Sequence, residues 1–366
     1  MRGPVGRLVA AAALAVMACG CSASGAEQPP PSVPLPSLSA KMKGMTEAGY
    51  TPTVFDQKAV TGELARLRGD GVTWLAIQVA WFQEKNTSVS IAPSAKKTPT
   101  DASVTRLMTL AHRSGLRVFL NPFVNSLEGS GWQANFHPSS AKAWFASFDR
   151  YLAHYASLAQ ANHVDLFAIG DEFDSLDAVA QYKPYWLQAI ATVRRYYSGP
   201  IVYGVDYPHY QQVTFWSALD DVGIDAYFPL TTVANPSLAQ LEASWRSLDA
   251  EIDAWRQRAG LTGKGFVVTE LGYPSEDGAA ATPGTWFPHQ PVNLALQQKC
   301  YIATLQTLYQ EPWVRGIFFF WWANPSNPDW QGGPSDNGYT LRGKPAEVTL
   351  RRFFKGSTGT VLKRQG

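Results

Sequence analysis

The segment Val164-Asp-Leu-Phe-Ala-Ile-Gly-Asp-Glu-Phe173 gives the strongest indication of the architecture. Its apolar run is typical of a strand buried on both faces, and it stops at two adjacent acids, Asp171 and Glu172. The segment Gly265-Phe-Val-Val-Thr-Glu-Leu-Gly-Tyr273 repeats the pattern, with Glu270 ending an apolar, β-branched run. A carboxylate in such surroundings is costly unless it is hydrogen-bonded, paired or protonated, so both segments predict a functional site at strand ends.

Similar apolar runs recur along the chain and alternate with amphipathic stretches of helical period. We expect strands at 41–46, 73–80, 116–122, 164–171, 200–206, 222–227, 265–271 and 315–321. Helical patterns cover 102–114, 144–161, 185–197, 237–259 and 294–309. Eight strand–helix repeats suit a single (β/α)8 (TIM) barrel of the α/β class, whose usual length is about 250 residues or more.

A doubly wound open sheet is the alternative architecture. The first strand–helix junction, Lys43-Gly-Met45, has one glycine and lacks the GxGxxG turn of dinucleotide-binding sheets, and the chain has no P-loop pattern. We therefore favour the barrel.

Composition and charge exclude several classes of protein. The chain has 366 residues, 45% hydrophobic and 16% charged, which argues against intrinsic disorder. The net charge of +2 lies wholly in the first 21 residues, which hold Arg2 and Arg7 but no acid; 29 basic and 29 acidic residues remain beyond them. A neutral body has no electrostatic footprint for nucleic acid, so we expect no such partner. The 13 tryptophans exceed what a core of ordinary composition needs and favour an aromatic binding surface.

Residues 1–21 have the organisation of an export signal: two arginines, a short apolar run and small residues before a cysteine. Gly20-Cys21 resembles a lipoprotein cleavage site, with Cys21 as the lipidated residue; Cys19 is the alternative, and an ordinary secretory signal is a further one. Residues 22–39 form a Pro/Ser-rich linker, and residues 40–358 form the catalytic barrel. We expect an exported protein, anchored at the cell surface through this lipid alone or secreted, and monomeric.

Two glutamates at the ends of facing strands match the chemistry of glycoside hydrolysis. One carboxyl group protonates the leaving oxygen while the other attacks the anomeric carbon, and in retaining enzymes the two stand about 5–5.5 Å apart. A single strand-end glutamate could equally be a helix cap or a surface ion pair. Two of them, on strands four and seven, favour catalysis.

Several longer pieces of the sequence resemble glycoside hydrolase family 113, a family of clan A retaining glycosidases whose known members are mainly β-1,4-mannanases. The most specific pieces are Gly223-Ile-Asp-Ala-Tyr-Phe-Pro-Leu230 and Thr269-Glu-Leu-Gly-Tyr273. Shorter ones are Lys43-Gly-Met45, Trp81-Phe-Gln83, Thr98-Pro-Thr-Asp101, Ala111-His112, Gly115-Leu116, Ile169-Gly-Asp-Glu172, Phe215-Trp216 and Gly343-Lys-Pro-Ala-Glu347. Together they span nearly the whole body of the chain.

The resemblance implies roles for individual residues. Glu172 would be the general acid/base and Glu270 the nucleophile, with Tyr227 as a hydrogen-bond donor to Glu270 and Asp225 as a sugar contact or orienting residue. Asp171 departs from the pattern, since many clan A enzymes have an asparagine there that binds the sugar 2-hydroxyl. The family pattern also predicts a histidine where this chain has Phe123.

Aromatic side chains at the predicted strand ends are expected to stack on sugar rings, with core packing as the alternative for each. The predicted substrate-binding set is Trp81, Asp171, Asp225, Tyr227, Tyr273, Trp321 and Trp322, and Trp132 lies at the same rim. The six histidines show neither HxH nor HExxH spacing and no cysteine cluster exists, so we expect no metal and no cofactor.

The sequence thus predicts a retaining hydrolase of β-linked polysaccharide, foremost an endo-acting β-1,4-mannanase, that works by double displacement with two glutamates. One alternative keeps the machinery but changes the glycan to a β-glucan or a cell-envelope glycan. The other is a non-catalytic glycan-binding lipoprotein on the same barrel. Acids at both strand ends argue against this last alternative, because a binding module has no need of the pair.

Overall fold

The computed structural model describes residues 41–129, 131–285, 289–322 and 332–356. The predicted signal (1–21), its lipidation candidate Cys21 and the predicted linker (22–39) lie outside the described residues. Within the described ranges, no helix combines the length and apolar character that crossing a membrane requires.

Eight parallel strands close into a barrel in chain order, β1 to β8, with β8 pairing back to β1. The strands are β1 Met42–Gly49, β2 Trp74–Gln83, β3 Arg117–Ser126, β4 Leu166–Asp171, β5 Ile201–Asp206, β6 Val222–Asp225, β7 Phe266–Leu271 and β8 Val314–Phe319. The helices are α1 Ala59–Gly69, α2 Asp101–Arg113, α3 Ala141–Ala161, α4 Asp174–Asp177, α5 Lys183–Tyr196, α6 Leu238–Arg258, α7 Leu294–Gln306 and α8 Pro345–Phe354. The predicted (β/α)8 barrel is confirmed.

The fifth repeat departs from the regular alternation. Residues 207–221, all of them described, contain the single 3-10 turn Trp216–Ala218 between β5 and β6 and no α-helix. Phe215 and Trp216 are buried there, and the Phe215 ring stacks on Trp186 of α5 with centroids 4.7 Å apart. Aromatic rings therefore cover this part of the barrel wall in place of a helix.

Large apolar side chains fill the interior of the barrel toward the amino ends of the strands. This inner cluster consists of Met42, Trp74, Ala76, Phe119, Leu166, Ala168, Val202, Val267 and Phe318. One pleat farther along β2 and β3, the inward positions become polar: Gln78 follows Ala76 and Asn121 follows Phe119. The barrel is thus closed by packing at one end and polar at the other, where its strands terminate.

The regular pairing of the strands is interrupted where the acids lie. Register shifts occur between Ala168 and Asp171 on β4 and between Val268 and Leu271 on β7. Strict alternation would turn Asp171 and Glu270 toward the helices, with Ile169 and Val268, which pack in the outer core. An irregularity of this kind changes the face on which the next side chain emerges, and both carboxylates point into the barrel instead.

Candidate active site

Glu172 follows the last residue of β4 and is held through its backbone. Its φ of +48° is uncommon for a residue with a side chain, and strained conformations of this kind concentrate at functional sites. Its N–H donates to the Gly204 carbonyl at 2.8 Å. The next N–H, of Phe173, donates to the Tyr203 hydroxyl at 2.8 Å, and that hydroxyl donates to Asp177 Oδ2 at 2.8 Å. This network fixes the turn that presents Glu172.

The Glu172 carboxylate accepts a hydrogen bond from a tryptophan at the rim of the barrel. Trp132, in the loop after β3, is 42% exposed, and its Nε1 lies 2.6 Å from Glu172 Oε2. An exposed indole beside a carboxyl group offers a flat apolar face to a sugar ring, since such rings combine an apolar body with a polar tip.

Glu270, on β7, receives two side-chain donors. Tyr227 donates its hydroxyl to Oε2 at 2.9 Å, and Gln78 donates from Nε2 to Oε1. The side chain is 8% exposed, so these bonds replace most of its water. Two donors stabilise the ionised form, which is the form that a nucleophile requires.

Asp171 and Asp225 lie beside Glu270 in the same depression. Asp171 Oδ1 accepts from Asn121 Nδ2 at 3.3 Å, and Asp225 Oδ1 accepts from Thr269 Oγ1 at 2.7 Å. One carboxylate oxygen from each of Asp171, Asp225 and Glu270 lies within 4.8 Å of the other two. These three are the residues that could hold a hard cation such as Mg²⁺ or Ca²⁺, or share protons instead.

The carboxyl groups of the site are buried close together, which raises their pKa values. Burial raises the pKa of Glu172, and the charges of Asp171, Asp206 and Glu270 raise it further. Burial also raises the pKa of Glu270, where Asp171 adds to the effect and the Tyr227 and Gln78 hydrogen bonds oppose it. Burial raises the pKa of Asp171 to about 7 and that of Asp206 to about 6.

Among the described residues, none of the charged groups that act most strongly on these carboxyls is a cation. The site therefore favours retaining protons over ionising all of its carboxyl groups. Within the described part of the chain, Glu270 has two side-chain donors and Glu172 has one, so the arrangement favours an ionised Glu270 and a protonated Glu172, as a nucleophile and an acid require.

Three of the predicted sugar-stacking residues lie on the helix side of the barrel, which corrects that expectation. Trp81 packs against Tyr151, His154 and Tyr155 of α3, with centroids 5.0–5.8 Å apart. The hydroxyl of fully buried Tyr273 bonds with Thr304 of α7 at 2.9 Å, and fully buried Trp322 donates from Nε1 to Glu63 of α1 at 2.7 Å. The physical reason is the pleat: these side chains leave their segments on the face that the helices cover.

Trp321 differs from these three, because it lies with the aromatic residues of the barrel mouth. It is 2% exposed and stacks on Phe320 with centroids 5.0 Å apart, and Phe320 and Trp321 are joined by a cis peptide bond. Tyr50 and Tyr227 pack against this cluster. The structure therefore brings together Asp171, Glu172, Asp225, Tyr227, Glu270 and Trp321 of the predicted residues.

Phe123 stands where the family pattern predicts a histidine, and it makes this side of the mouth apolar. Its ring packs with Ala80 and Phe82 and meets Tyr50 edge-on, with centroids 6.5 Å apart. A histidine would place a polar nitrogen among these rings, so the substitution is consistent with its local packing.

Gln78, Asn121 and Thr269 are site residues that the sequence reasoning missed. Each is buried and bonded to one of the acids. The available signal was a single polar residue inside an otherwise apolar strand, as in Trp74-Leu-Ala-Ile-Gln-Val-Ala80. A polar side chain buried in a strand needs a partner, and in these three cases the partner is a carboxylate.

A (β/α)8 barrel with a pair of glutamates and further acids at the carboxyl ends of its strands defines a class of carbohydrate-active enzyme. The model of Glycoside Hydrolase Family 113 matches residues 48–344. The chain belongs to this family and is a glycoside hydrolase.

Several solved structures share the fold of this chain. The GH113 β-mannanase AaManA from Alicyclobacillus acidocaldarius is 25% identical, with a TM-score of 0.76 over 87% of this chain and 98% of its own. A GH113 β-1,4-mannanase is 24% identical, with a TM-score of 0.75 over 86% of this chain and 99% of its own. The β-glucuronidase of Faecalibacterium prausnitzii, 16% identical over half of its length with a TM-score of 0.59, shares the fold. No curated protein matches the chain.

Proposed function

We propose that the chain is a retaining β-mannanase that hydrolyses β-1,4-mannan by double displacement. The observation that carries the proposal is a difference in hydrogen bonding between the two glutamates. Among the described residues, Glu270 accepts from Gln78 and Tyr227, whereas Glu172 accepts from Trp132. This difference supports the role of nucleophile for Glu270 and of acid for Glu172, two groups of the same chemistry.

In the first step, Glu270 attacks the anomeric carbon while Glu172 gives its proton to the leaving glycosidic oxygen. Positive charge that develops on the sugar is stabilised by the ionised Glu270 and by the negative charge that the neighbouring acids carry. In the second step, Glu172, now ionised, takes a proton from water as the water oxygen attacks the anomeric carbon. The bond from that carbon to Glu270 breaks, Glu270 leaves as a carboxylate, and the original anomeric configuration returns. The exposed face of Trp132 would hold a sugar ring beside the acid.

The choice of mannan rests on the similar solved structures, which are those of GH113 β-mannanases. A β-glucan and a cell-envelope glycan remain the alternative substrates of the same machinery. A panel of mannan, β-glucan, xylan and cell-envelope glycan, assayed for reducing ends with residues 40–366, discriminates among them, and the expected outcome is fastest release from mannan.

The roles of the glutamates are tested with Glu172→Gln, which removes the acid, and Glu270→Gln, which removes the nucleophile. Each is expected to lower kcat by at least about 100-fold, the lower end of the range for loss of a positioned acid or base. Glu63→Gln is the matched control, because Glu63 lies on α1 and bonds to Trp322 and Arg342 instead. Proton NMR of early products should show retained configuration. Initial release of the inverted anomer would contradict the role of Glu270.

The place of action forms a separate part of the proposal. Cleavage before Cys21 would leave a lipidated cysteine followed by a proline-rich tether that holds the barrel away from the membrane. Labelling of expressing cells with a clickable fatty acid should mark the wild type and the Cys19→Ala variant but not Cys21→Ala. Labelling of Cys21→Ala but not of Cys19→Ala would move lipidation to Cys19. Absence of label from the wild type would indicate a secreted enzyme.

A further inference from the structure

Asp171 and Asp225 are two acids that the two-glutamate mechanism does not use. Their strands are not neighbours, because β5 lies between β4 and β6. Gly204, on β5, lies between the two side chains: a Cβ added there would stand 2.5 Å from Asp171 Oδ1 and 3.0 Å from Asp225 Oδ2. The missing side chain of Gly204 thus lets the two carboxyl groups face each other across the intervening strand.

The donors around the pair leave one oxygen without a partner. Asp225 is fully buried; its Oδ1 accepts from Thr269, but its Oδ2, the oxygen beside Gly204, has no hydrogen-bond partner among the described residues. Asp171 accepts from Asn121 at 3.3 Å and from Gln133 at 3.5 Å, both long. An ionised carboxylate with an unpartnered buried oxygen facing another carboxylate is strongly unfavourable.

The groups that face the pair offer no compensating charge. Glu172 and Glu270 lie beside it at the ends of β4 and β7, and Asp206 lies at the end of β5. From β2 and β3 come the neutral amides of Gln78 and Asn121, and Tyr50 faces Glu270 and Asp171 from the end of β1. Within the described part of the chain, no lysine, arginine or histidine forms an ion pair with Asp171 or Asp225.

We propose that Asp171 and Asp225 share one proton beside Gly204, so that the pair presents a single negative charge to the sugar bound at Glu172 and Glu270. The shared proton gives Asp225 Oδ2 its hydrogen-bond partner. The pair then resembles an asparagine next to an aspartate in both charge and hydrogen bonding. This accounts for an acid at position 171 without a second full charge next to Glu172, and it makes Asp171 a positioning residue for the reaction.

The pH dependence of kcat/KM distinguishes a pair that carries one negative charge from a pair that carries two. Its alkaline limb reports the loss of the Glu172 proton, and the charge of the pair acts on the pKa of Glu172. If the pair shares a proton, Asp171→Asn leaves the charge unchanged, because the remaining Asp225 carries the same single charge. The same holds for Asp225→Asn. The double variant removes that charge, which lowers the pKa of Glu172 and moves the alkaline limb to lower pH by roughly one unit. If both acids are ionised, each single variant already moves the limb, and the proposal is overturned.

This readout rests on the proposed hydrolysis, so a second one is independent of it. Carboxyl carbons of wild-type protein labelled at aspartate are followed by NMR against pH, with the two resonances assigned by their loss in the single variants. At pH 7 the pair should hold one proton in total, released as the pH rises. Two fully ionised resonances at pH 7 would overturn the proposal even if no glycan is cleaved.

A bound cation is the remaining way to neutralise the pair. Titration of metal-free protein with Mg²⁺, Ca²⁺ and Mn²⁺, followed by the same resonances, should leave them unshifted at millimolar metal. A saturable shift that disappears in Asp171→Asn would replace the shared proton with a metal.

Discussion

At the scale of single residues, the hydrogen bond from Tyr227 helps to keep Glu270 ionised, and the Tyr227→Phe variant tests this role. Its hydroxyl donates to Glu270 Oε2 at 2.9 Å and opposes the rise in the pKa of Glu270 that burial causes. Tyr227→Phe removes this donor, so the pKa of Glu270 rises and the acidic limb of the kcat/KM profile moves to higher pH. Hydrogen bonds to charged groups contribute about 1.5–3 kcal/mol, and we expect kcat/KM at the optimum to fall by about 10- to 100-fold.

Tyr273→Phe is the matched control for that variant. Tyr273 follows the end of β7, close to Glu270 in sequence, but its hydroxyl forms a hydrogen bond with Thr304 of α7 on the helix side. We expect a loss of about 1 kcal/mol in the free energy of unfolding, measured by urea denaturation, with the acidic limb in its wild-type position. An equal shift of the limb in both variants would contradict the specific role of Tyr227.

Trp132 leads to the corresponding prediction for the alkaline limb of the kcat/KM profile. Its Nε1 donates to Glu172 Oε2 and holds the pKa of Glu172 below the value that burial and neighbouring acids would otherwise set. Trp132→Phe keeps a flat ring but removes the donor, so the alkaline limb should move to higher pH. Trp132→Ala removes the ring as well and should also raise KM. An alkaline limb that stays in place in Trp132→Phe would show that this bond does not form in the free enzyme.

At the scale of elements, the end of β4 depends on the Tyr203 hydroxyl, which accepts from the Phe173 N–H and donates to Asp177. Tyr203→Phe removes this hydrogen-bond partner from both buried groups, at about 1–3 kcal/mol each. We expect kcat to fall while KM changes little, because the turn that orients Glu172 loosens. Tyr197→Phe is the control: its hydroxyl donates to Val164 before the start of β4 at 2.9 Å. It should lower the melting temperature without lowering kcat.

The eight strands and the five helices α2, α3, α5, α6 and α7 were predictable from sequence. The helices α1, α4 and α8 were not predicted, and neither were the faces that the side chains take. Apolar runs gave all eight strands, because a parallel strand covered on both faces is apolar throughout. β1 nevertheless extends to Gly49, past the predicted end at 46, since Thr46 and Glu47 interrupt its apolar pattern although they lie in the strand. The fifth repeat has no helix, and its aromatic turn gave no periodic signal.

The positions of the acids show why local patterns fail at the site. Alternation counted from Ile169 and Val268 places Asp171 and Glu270 on the helix side, and the register shifts in β4 and β7 reverse this. Such irregularities depend on pairing with strands distant in sequence, so a local pattern does not contain them. The prediction that Trp81, Tyr273 and Trp322 contact sugar rested on their place along the chain. That place indicates where a strand ends but not which face a side chain takes.

At the scale of the whole molecule, the surplus of buried acids sets the pH dependence of stability. Burial raises the pKa of Asp171, Asp177 and Asp249 to about 7, against about 3.9 in an unfolded chain. Between these values the folded state holds protons that the unfolded state has lost. The free energy of unfolding therefore decreases as the pH rises from about 4 through 7. Thermal melting should show a higher midpoint at pH 5.5 than at pH 8.

Asp249 isolates this effect far from the catalytic carboxyls. It lies on α6, is 4% exposed, and neither of its oxygens has a hydrogen-bond partner among the described residues. Burial, and then the charge of Glu311, raises its pKa. Asp249→Asn removes the cost of ionising a buried group, so the midpoint at pH 8 should rise by about 2 °C or more, while the midpoint at pH 4 stays near that of wild type. Glu251→Gln, at an exposed position of the same helix, should leave the difference between the two pH values unchanged. A rise of equal size at both pH values would attribute the gain to packing and not to the proton.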